Sequence, residues 1–247
     1  MKFMTGDDGK LADYMTFNIN LLGKVFKKES RAEELINGIN GIIADIASLK
    51  GTSDKKIYVA GVTIQGSNPL NTTFPTYMPF SLTGSTNAYD LGSTDNKVSL
   101  TNEQFPKLDI DMIIIDPSSS DKIKDQGGNV NQDSKYVLQY LYGLSERPKI
   151  YITVPIVWDS INYDCALASA YVVTYLNYGG LTLDELTAKI NNIFTTFYGT
   201  HGANVLKDMQ TFFQGKSSDC GQQMPMFKEV VIDKVSDDEY RLIAASA

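Results

Sequence analysis

The chain has 247 residues, of which 43% are hydrophobic and 21% charged, and this ordinary globular composition excludes an intrinsically disordered protein. The formal net charge is -7, and the Lys and Arg residues are scattered apart from short pairs such as Lys27-Lys28, so we expect no nucleic-acid partner. No apolar run reaches the roughly 18 residues that a membrane span needs, and the N-terminus lacks the apolar core of a signal peptide.

The pattern of residues 11–49 predicts helical structure, because apolar residues recur three and four positions apart. One stripe comprises Tyr14, Phe17, Leu21 and Val25, and another comprises Leu35, Ile39, Ile42, Ile46 and Leu49. Ser30 and Glu33 have the spacing of a capping box, which predicts that a second helix begins there.

Three short apolar runs, at residues 57–64, 112–115 and 149–154, predict strands that are buried on both faces of a parallel sheet. A polar, proline-containing loop at residues 65–80 follows the first run and is the first place where we expect a ligand. A capping box at Thr101 and Gln104 predicts a short helix before the second run, and residues 134–144 predict a helix before the third. This alternation predicts a three-layer α/β/α lobe with a mainly parallel central sheet.

The C-terminal third predicts helices at residues 163–176, 183–198 and 203–213, the second of them opened by a Thr182 and Glu185 capping box. The turn residues at 236–238, with strand-like segments on either side, predict a C-terminal β-hairpin within residues 226–245.

Catalytic motifs are missing from the sequence. The single histidine, His201, has no accompanying nucleophile motif, and a loop or capping role is expected for it. The GxSxG, P-loop and GxGxxG patterns do not occur, so we expect no enzyme, no resident cofactor and no metal. Cys165 and Cys220 form no zinc motif; we expect a buried helix residue and a loop thiol, and leave their pairing open. Asp116, at the end of the second strand, is either a turn residue before proline, which we favour, or a functional acid.

Aromatic and amide side chains occur where strands end and helices open, among them Tyr77, Trp158 and Tyr163. In open α/β sheets, ligands bind outside the carboxyl ends of the strands, and such side chains suit a flat, partly apolar ligand. Hydrophobic packing of the loops is the alternative explanation for Tyr77 and Trp158, and for Tyr163 it is the favoured one.

Five segments in order together resemble one protein family. LLGKVFKKESRAEELI resembles the start of the helical connector of substrate-binding proteins from ABC importers of the iron-siderophore and cobalamin type. IYVAGVTIQGSNPLNTTFPTYMPF is similar to the first strand and loop of that family's second lobe. EQFPKLDIDMIIID and VPIVWDSINYDCALASAYVV resemble its later strand passages, and FYGTHGANVL with KDMQTFF resembles its C-terminal helices.

The resemblance implies a non-enzymatic binding protein with two α/β lobes joined by a rigid helix, a ligand held between the lobes, and delivery to a membrane permease. It implies an extracytoplasmic location, in the periplasm or as a lipoprotein at the cell surface. The implied ligand is a metal chelate or corrinoid such as a ferric siderophore, haem or cobalamin. The expected ligand face comprises Gln65, Thr72, Thr73, Tyr77, Trp158 and Asn162.

Two features depart from the family pattern. The connecting helix begins near residue 11, so we expect residues 1–50 to be the connecting-helix region, with the first lobe absent, and residues 51–247 to be the C-terminal ligand-binding lobe. The tail beyond Gly215 adds a hairpin. The chain is therefore interpreted as a truncated or split binding protein that could be completed by a missing lobe or a second copy. The alternatives are an orphan α/β lobe with a structural or protein-interaction role, and an α/β enzyme with an unrecognised site.

Overall fold

The computed structural model describes residues 5–6, 9–63, 66–93, 95, 97–156 and 162–246. The chain divides into two compact units: Met1–Ser53, Met78–Gly84 and Ala166–Leu206 form the first, and Asp54–Tyr77, Ser85–Cys165 and Lys207–Ala247 form the second. The predicted division into a connecting-helix region at residues 1–50 and a lobe at residues 51–247 stays a prediction. No helix in the described ranges has both the length and the apolar character to cross a membrane.

Helices make up the first unit. It contains α1 (Asp13–Phe26), α2 (Glu29–Ser48), α3 (Met78–Thr83), most of α5 (Tyr163–Tyr178) and α6 (Leu183–Tyr198). The α6 capping box is confirmed, because the Thr182 Oγ1 accepts from the Glu185 N–H at 3.2 Å and a Glu185 carboxylate oxygen accepts from the Thr182 N–H at 2.7 Å. The predicted loop at residues 65–80 is partly wrong, since α3 begins within it.

The N-terminal helical region is two helices that meet at Lys27. Lys27 adopts a left-handed conformation with φ of 53°, and the Lys28 N–H donates to the Gly23 carbonyl at 2.7 Å, which ends α1 in the manner of a Schellman motif. The predicted Ser30 and Glu33 capping box is wrong, because α2 is capped at Lys28 without a side-chain hydrogen bond. The left-handed turn at Lys27 places the N-cap two residues earlier than predicted.

Glycine allows α1 and α2 to approach closely. A Cβ on Gly23 would lie 2.7 Å from the Cβ of Ala32, which is buried in α2. Gly41, also in α2, has nothing within 4 Å of the corresponding position.

The second unit is built on a six-stranded sheet. Its strands are β1 (Lys56–Ala60), β3 (Thr86–Asn87), β5 (Met112–Ile115), β6 (Lys149–Ile152), β7 (Glu229–Lys234) and β8 (Tyr240–Ala244), in the order β3-β1-β5-β6-β7-β8. The first four in this order are parallel, and β7 and β8 form the predicted antiparallel hairpin, which is confirmed. All four side chains of β5 are buried, as expected for a central strand covered on both faces.

Smaller elements complete this unit. They are the paired strands β2 (Thr72–Thr73) and β4 (Val98–Ser99), the helices α4 (Gln132–Gly143) and α7 (Val205–Asp219), of which the first two residues belong to the other unit, and short 3₁₀ helices at Phe105–Lys107 and Pro117–Lys122. The Thr101 and Gln104 capping hydrogen bonds form as predicted, ahead of the first 3₁₀ helix. His201 is exposed in a third 3₁₀ helix, Gly199–Asn204, between α6 and α7.

The tight approach of α1 and α2 predicts opposite effects for two glycine substitutions. Gly23→Val should lower the free energy of unfolding by about 1–3 kcal/mol, because the added atoms must displace Ala32 or part the helices. Gly41→Ala should raise it by about 0.5–1 kcal/mol, because alanine has the higher helix propensity and meets no neighbour. Urea unfolding followed by circular dichroism measures both, and equal effects of the two would contradict the packing described.

An ion pair within the first unit predicts a pH dependence. Burial alone would raise the pKa of Asp45, but hydrogen bonds to its Oδ2 from Lys189 Nζ and the Tyr171 hydroxyl, each at 2.6 Å, lower the pKa instead. The stabilisation is therefore present above the unfolded pKa near 3.8 and is lost as the pH falls through the folded pKa.

Asp45→Asn should thus be less stable than the natural chain by about 0.5–1 kcal/mol at pH 7, a modest value because the carboxylate is partly exposed to solvent. The difference should shrink below pH 4. Thermal unfolding of both proteins between pH 2.5 and 7 measures it, and a difference that grows on acidification would contradict the assignment.

Candidate functional site: the carboxyl ends of β1, β5 and β6

The sheet has a topological switch point between β1 and β5. From β1 the chain proceeds to β3 on one side, and it then returns to β5 on the other side and continues outward to β6. Adjacent strands whose connections lead in opposite directions leave a crevice outside their carboxyl ends, which is where open α/β sheets bind ligands. The topology therefore selects the segments that follow β1, β5 and β6, which we call the strand-end rim.

Asp116 organises the strand-end rim. Its Oδ1 accepts from the Ser118 N–H at 2.9 Å and from the Ser118 hydroxyl at 2.5 Å. Its Oδ2 accepts from the Thr63 hydroxyl at 2.6 Å and from the Ile156 N–H at 3.1 Å. Because Thr63 follows β1, Ser118 follows β5 and Ile156 follows β6, one carboxyl group joins three loops.

Electrostatics at Asp116 reflect its burial. Burial raises the pKa of this carboxyl group, while the hydrogen bonds from Ser118, Thr63 and Ile156 act in the opposite direction. Asp116 is 4% exposed, and its two oxygens accept four hydrogen bonds from three residues. This arrangement makes Asp116 a structural tie between loops, since a fully engaged carboxyl group has little capacity left to abstract a proton from a substrate.

Close backbone contact brings the 3₁₀ helix Pro117–Lys122 against the end of β1. Gly61 has φ of +67°, and a Cβ there would lie 2.5 Å from the Cβ of Ser119. The Gly61 N–H donates to the Thr72 carbonyl at 3.0 Å, which attaches β2 to the same end of the sheet. Glycine is therefore required at this position both by its conformation and by the space available.

A narrow crevice lies within the strand-end rim. It has room for about 10 Å³, the space of about one water molecule. Its lining is mostly apolar and comprises Val59, Val62, Phe74, Tyr77, Asp116, Thr153, Val154 and Ile156. The described residues therefore form a surface against which a ligand can lie, and they do not enclose one.

The predicted ligand-face residues are only partly brought together. Tyr77 lines the crevice and packs edge-on against Phe74, with 6.0 Å between ring centroids. Thr72 and Thr73 are fully buried in β2, where the Thr72 hydroxyl pairs with that of Ser99 at 3.1 Å. Gln65 and Trp158 lie outside the described residues. The role of all of these residues in ligand binding stays a prediction.

Asn162, the sixth predicted residue, is half-buried just before α5, and it hydrogen-bonds the Cys165 thiol. Burial raises the pKa of Cys165 well above its usual range, and the charges of Asp164 and Asp116 raise it further against the effect of Asn162. A thiol in this environment is a poor nucleophile. Cys165 is buried in a helix, as predicted, and Cys220 is buried just after α7; both thiols are free.

The strand-end rim also includes four residues that were not predicted from the sequence: Thr63, Phe74, Thr153 and Ile156. A signal for two of them exists, because a hydroxyl or carboxyl side chain occurs within three residues after each of these strands: Thr63 after β1, Asp116 after β5 and Thr153 after β6. Phe74 and Ile156 carry no such signal, since only the folded loops bring them to the crevice.

A wider groove of about 560 Å³ lies along α7 and the segment before β7. Its amide side chains include Gln222 and Gln223, whose oxygens accept from the backbone N–H groups of Leu242 at 2.9 Å and Ala244 at 2.8 Å. These amides hold β8 in place. The strand-end rim is the better candidate site because it lies at the switch point.

The fold is that of a solute-binding protein of ABC transporters. An ABC transporter solute binding protein from Sulfurospirillum deleyianum DSM 6946 matches with a TM-score of 0.52 and 16% identity, over 81% of this chain and 61% of that one. A periplasmic solute binding protein from Veillonella parvula DSM 2008 matches with a TM-score of 0.48 and 16% identity, over 80% and 62% of the two chains. IsdE from S. aureus, complexed with heme, matches with a TM-score of 0.42 and 15% identity, over 65% of this chain and 64% of that one.

No family model matches the sequence, and no curated protein matches it. At 16% identity the structural likeness shows the fold, and the chain spans 61% of the length of the first of these proteins.

The role of Asp116 as a tie predicts a stability effect. Asp116→Asn should lower the free energy of unfolding by about 1–3 kcal/mol, because the amide nitrogen replaces an acceptor and leaves a buried donor unpaired. Asp109→Asn, a substitution just before β5, is the matched control; it removes only an exposed ion pair with Lys56 and should leave the free energy of unfolding nearly unchanged. Urea unfolding measures both, and equal effects would show that the tie contributes nothing.

Proposed function

We propose that this chain is a non-enzymatic ligand-binding module of an ABC-type importer. The observation that carries the proposal is the strand-end rim, an apolar and aromatic surface at the switch point of a sheet with the solute-binding-protein fold. Asp116 holds the three loops of this surface in one arrangement before a ligand arrives. Such preorganisation increases affinity, because the loops need not be ordered on binding.

The ligand we propose is a flat, partly apolar metal chelate or corrinoid, that is, an iron-siderophore, haem or a cobalamin-like compound. The apolar lining of the crevice supports this class, because a planar, partly apolar ligand can lie against it. The ligand face would comprise Gln65, Thr72, Thr73, Tyr77, Trp158 and Asn162. Any metal would enter as part of the ligand; the described residues contain no cluster of three or more His, Cys, Asp and Glu side chains suited to hold a metal.

The partners we propose follow from the same class. The module would act outside the cytoplasm, in the periplasm or as a cell-surface lipoprotein, and would deliver its ligand to a membrane permease. A surface with room for about one water cannot bury most of a chelate. A second wall, supplied by a missing lobe or a second copy, would therefore be needed to close the site.

A second candidate function is that of an orphan α/β lobe with a structural or protein-interaction role. One observation favours it: α1 exposes large apolar side chains, including Phe17 at 66% and Phe26 at 68% of their full surface. Exposed apolar surface of this kind marks an interaction site.

Ligand titration tests the first function. Trp158 is the single tryptophan, so its fluorescence reports on the segment that follows Ile156. The purified chain is titrated with a ferric hydroxamate siderophore, a ferric catecholate siderophore, haem and cyanocobalamin, with correction for inner-filter absorption. Saturable quenching by one of these compounds is the expected result, and no response from the folded protein to any of them would refute the proposed ligand class.

Matched asparagine variants then locate the site. Asn162→Ala should weaken binding of the quenching ligand by about 5–30-fold, the loss of one or two hydrogen bonds, whereas Asn37→Ala on the exposed face of α2 should leave it unchanged. Calorimetry with Trp158→Phe, which lacks the reporter, should show weaker binding too. Equal affinities in all of these proteins would exclude the predicted ligand face.

A further inference from the structure

Helix α1 presents its most apolar face to solvent. The exposed fractions are 66% for Phe17, 47% for Leu21, 54% for Leu22, 64% for Val25 and 68% for Phe26. A surface helix of a globular protein normally turns its apolar stripe towards the core. The orientation of α1 is the reverse of that rule, so its apolar stripe is available to a partner.

The orientation of α1 is fixed by the side that packs against α2. Gly23 is its one fully buried residue, and it lies against Ala32 of α2. At 100° per residue, Leu21 and Val25 project about 160° away from Gly23, and Tyr14 and Phe17 fall on the same outer side. We call Tyr14, Phe17, Leu21 and Val25 the outer stripe. Rotation of α1 to bury the outer stripe would separate Gly23 from Ala32.

We propose that the outer stripe is the contact surface for a second copy of this chain, with the two α1 helices packed antiparallel about a two-fold axis. In the register that pairs Phe17 with Leu21 of the second copy, Tyr14 meets Val25 and the two-fold axis repeats both contacts. Each member of the outer stripe then contacts an apolar side chain of the second copy. Self-complementarity of this kind is what an isologous interface requires.

Charge along α1 supports the antiparallel arrangement. Asp13 lies in the first turn and Lys24 in the last turn, and the two project from the same flank of the outer stripe. In an antiparallel two-fold pair the same flanks meet, so Asp13 of each copy faces Lys24 of the other. A parallel two-fold pair brings opposite flanks together, so Asp13 and Lys24 would not face each other across the interface.

The size of the contact sets the strength expected. Helix α1 has 14 residues and is therefore about 21 Å long. One helix face per copy is smaller than the roughly 800 Å² per partner of a standard stable interface. The dimer should therefore be weak, with a dissociation constant on the order of 10–500 μM. The dimer does not depend on the proposed ligand, and its test uses the chain without ligand.

Sedimentation equilibrium of the complete chain tests the proposal. Between 5 and 500 μM, concentrations chosen to bracket the expected constant, the average mass should rise towards that of a dimer. Phe17→Glu should weaken association at least tenfold. Phe212→Glu is the matched control, because Phe212 lies on α7 with 64% exposure against 66% for Phe17, and it should leave association unchanged. Monomer mass throughout, or equal effects of the two variants, would overturn the proposal.

Charge exchange tests the register without altering the outer stripe. Asp13→Lys alone and Lys24→Asp alone should each weaken self-association, because each places like charges across the interface. An equimolar mixture of the two single variants should associate more strongly than either alone, since the mixed dimer pairs Lys with Asp on both sides. Intrachain effects, such as those of Glu29 and Glu33 near Lys24, are present in both components and cannot produce that gain.

A membrane surface is the competing occupant of the outer stripe. Flotation of the chain with vesicles of phosphatidylcholine and phosphatidylglycerol measures it. Absence of flotation together with dimer formation supports the proposal. Flotation that Phe17→Glu abolishes, from a chain that stays monomeric without lipid, would overturn it in favour of a lipid surface.

Discussion

The buried carboxyl group of Asp116 is the constraint on which the strand-end rim depends. Three separate loops leave the sheet after β1, β5 and β6, and each contributes a donor to the same two oxygens. A buried carboxyl group is stable only when its oxygens are engaged, so the loops must adopt the positions that engage them. The burial of Asp116 therefore fixes the conformation of the candidate site, and no ligand is needed to create that conformation.

The parallel core could be predicted from the sequence because burial on both faces leaves a simple signal. The run Met112–Ile115 is apolar at every position, and the strand occupies these four residues. The α6 start at Thr182 and Glu185 was equally predictable, since a capping box forms from residues three apart and needs no tertiary partner. Where local chemistry and tertiary packing favour the same structure, the sequence pattern is sufficient to predict it.

The strand-end rim was only partly predictable, since its members meet across long stretches of chain. Asp116 was favoured as a turn residue, and it does bond the Ser118 N–H as an Asx turn would. Its contacts with Thr63 and Ile156 connect residues 53 and 40 positions away, and no sequence period records them. The failed capping box at Ser30 has the opposite cause. The Ser30 and Glu33 pattern is present, but α2 begins at Glu29, directly after the left-handed turn at Lys27, so Ser30 lies inside the helix.

The outer stripe of α1 shows that an amphipathic pattern can predict a helix without indicating what its apolar face contacts. The spacing of Tyr14, Phe17, Leu21 and Val25 predicted a helix, and α1 includes all four. Periodicity identifies an apolar face without specifying what covers it. Gly23 determines the direction of α1, because its close approach to Ala32 needs the absence of a side chain, and Leu21 and Val25 must then point away. The smallest residue of α1 thus determines that Phe17, Leu21 and Val25 remain exposed on its opposite side.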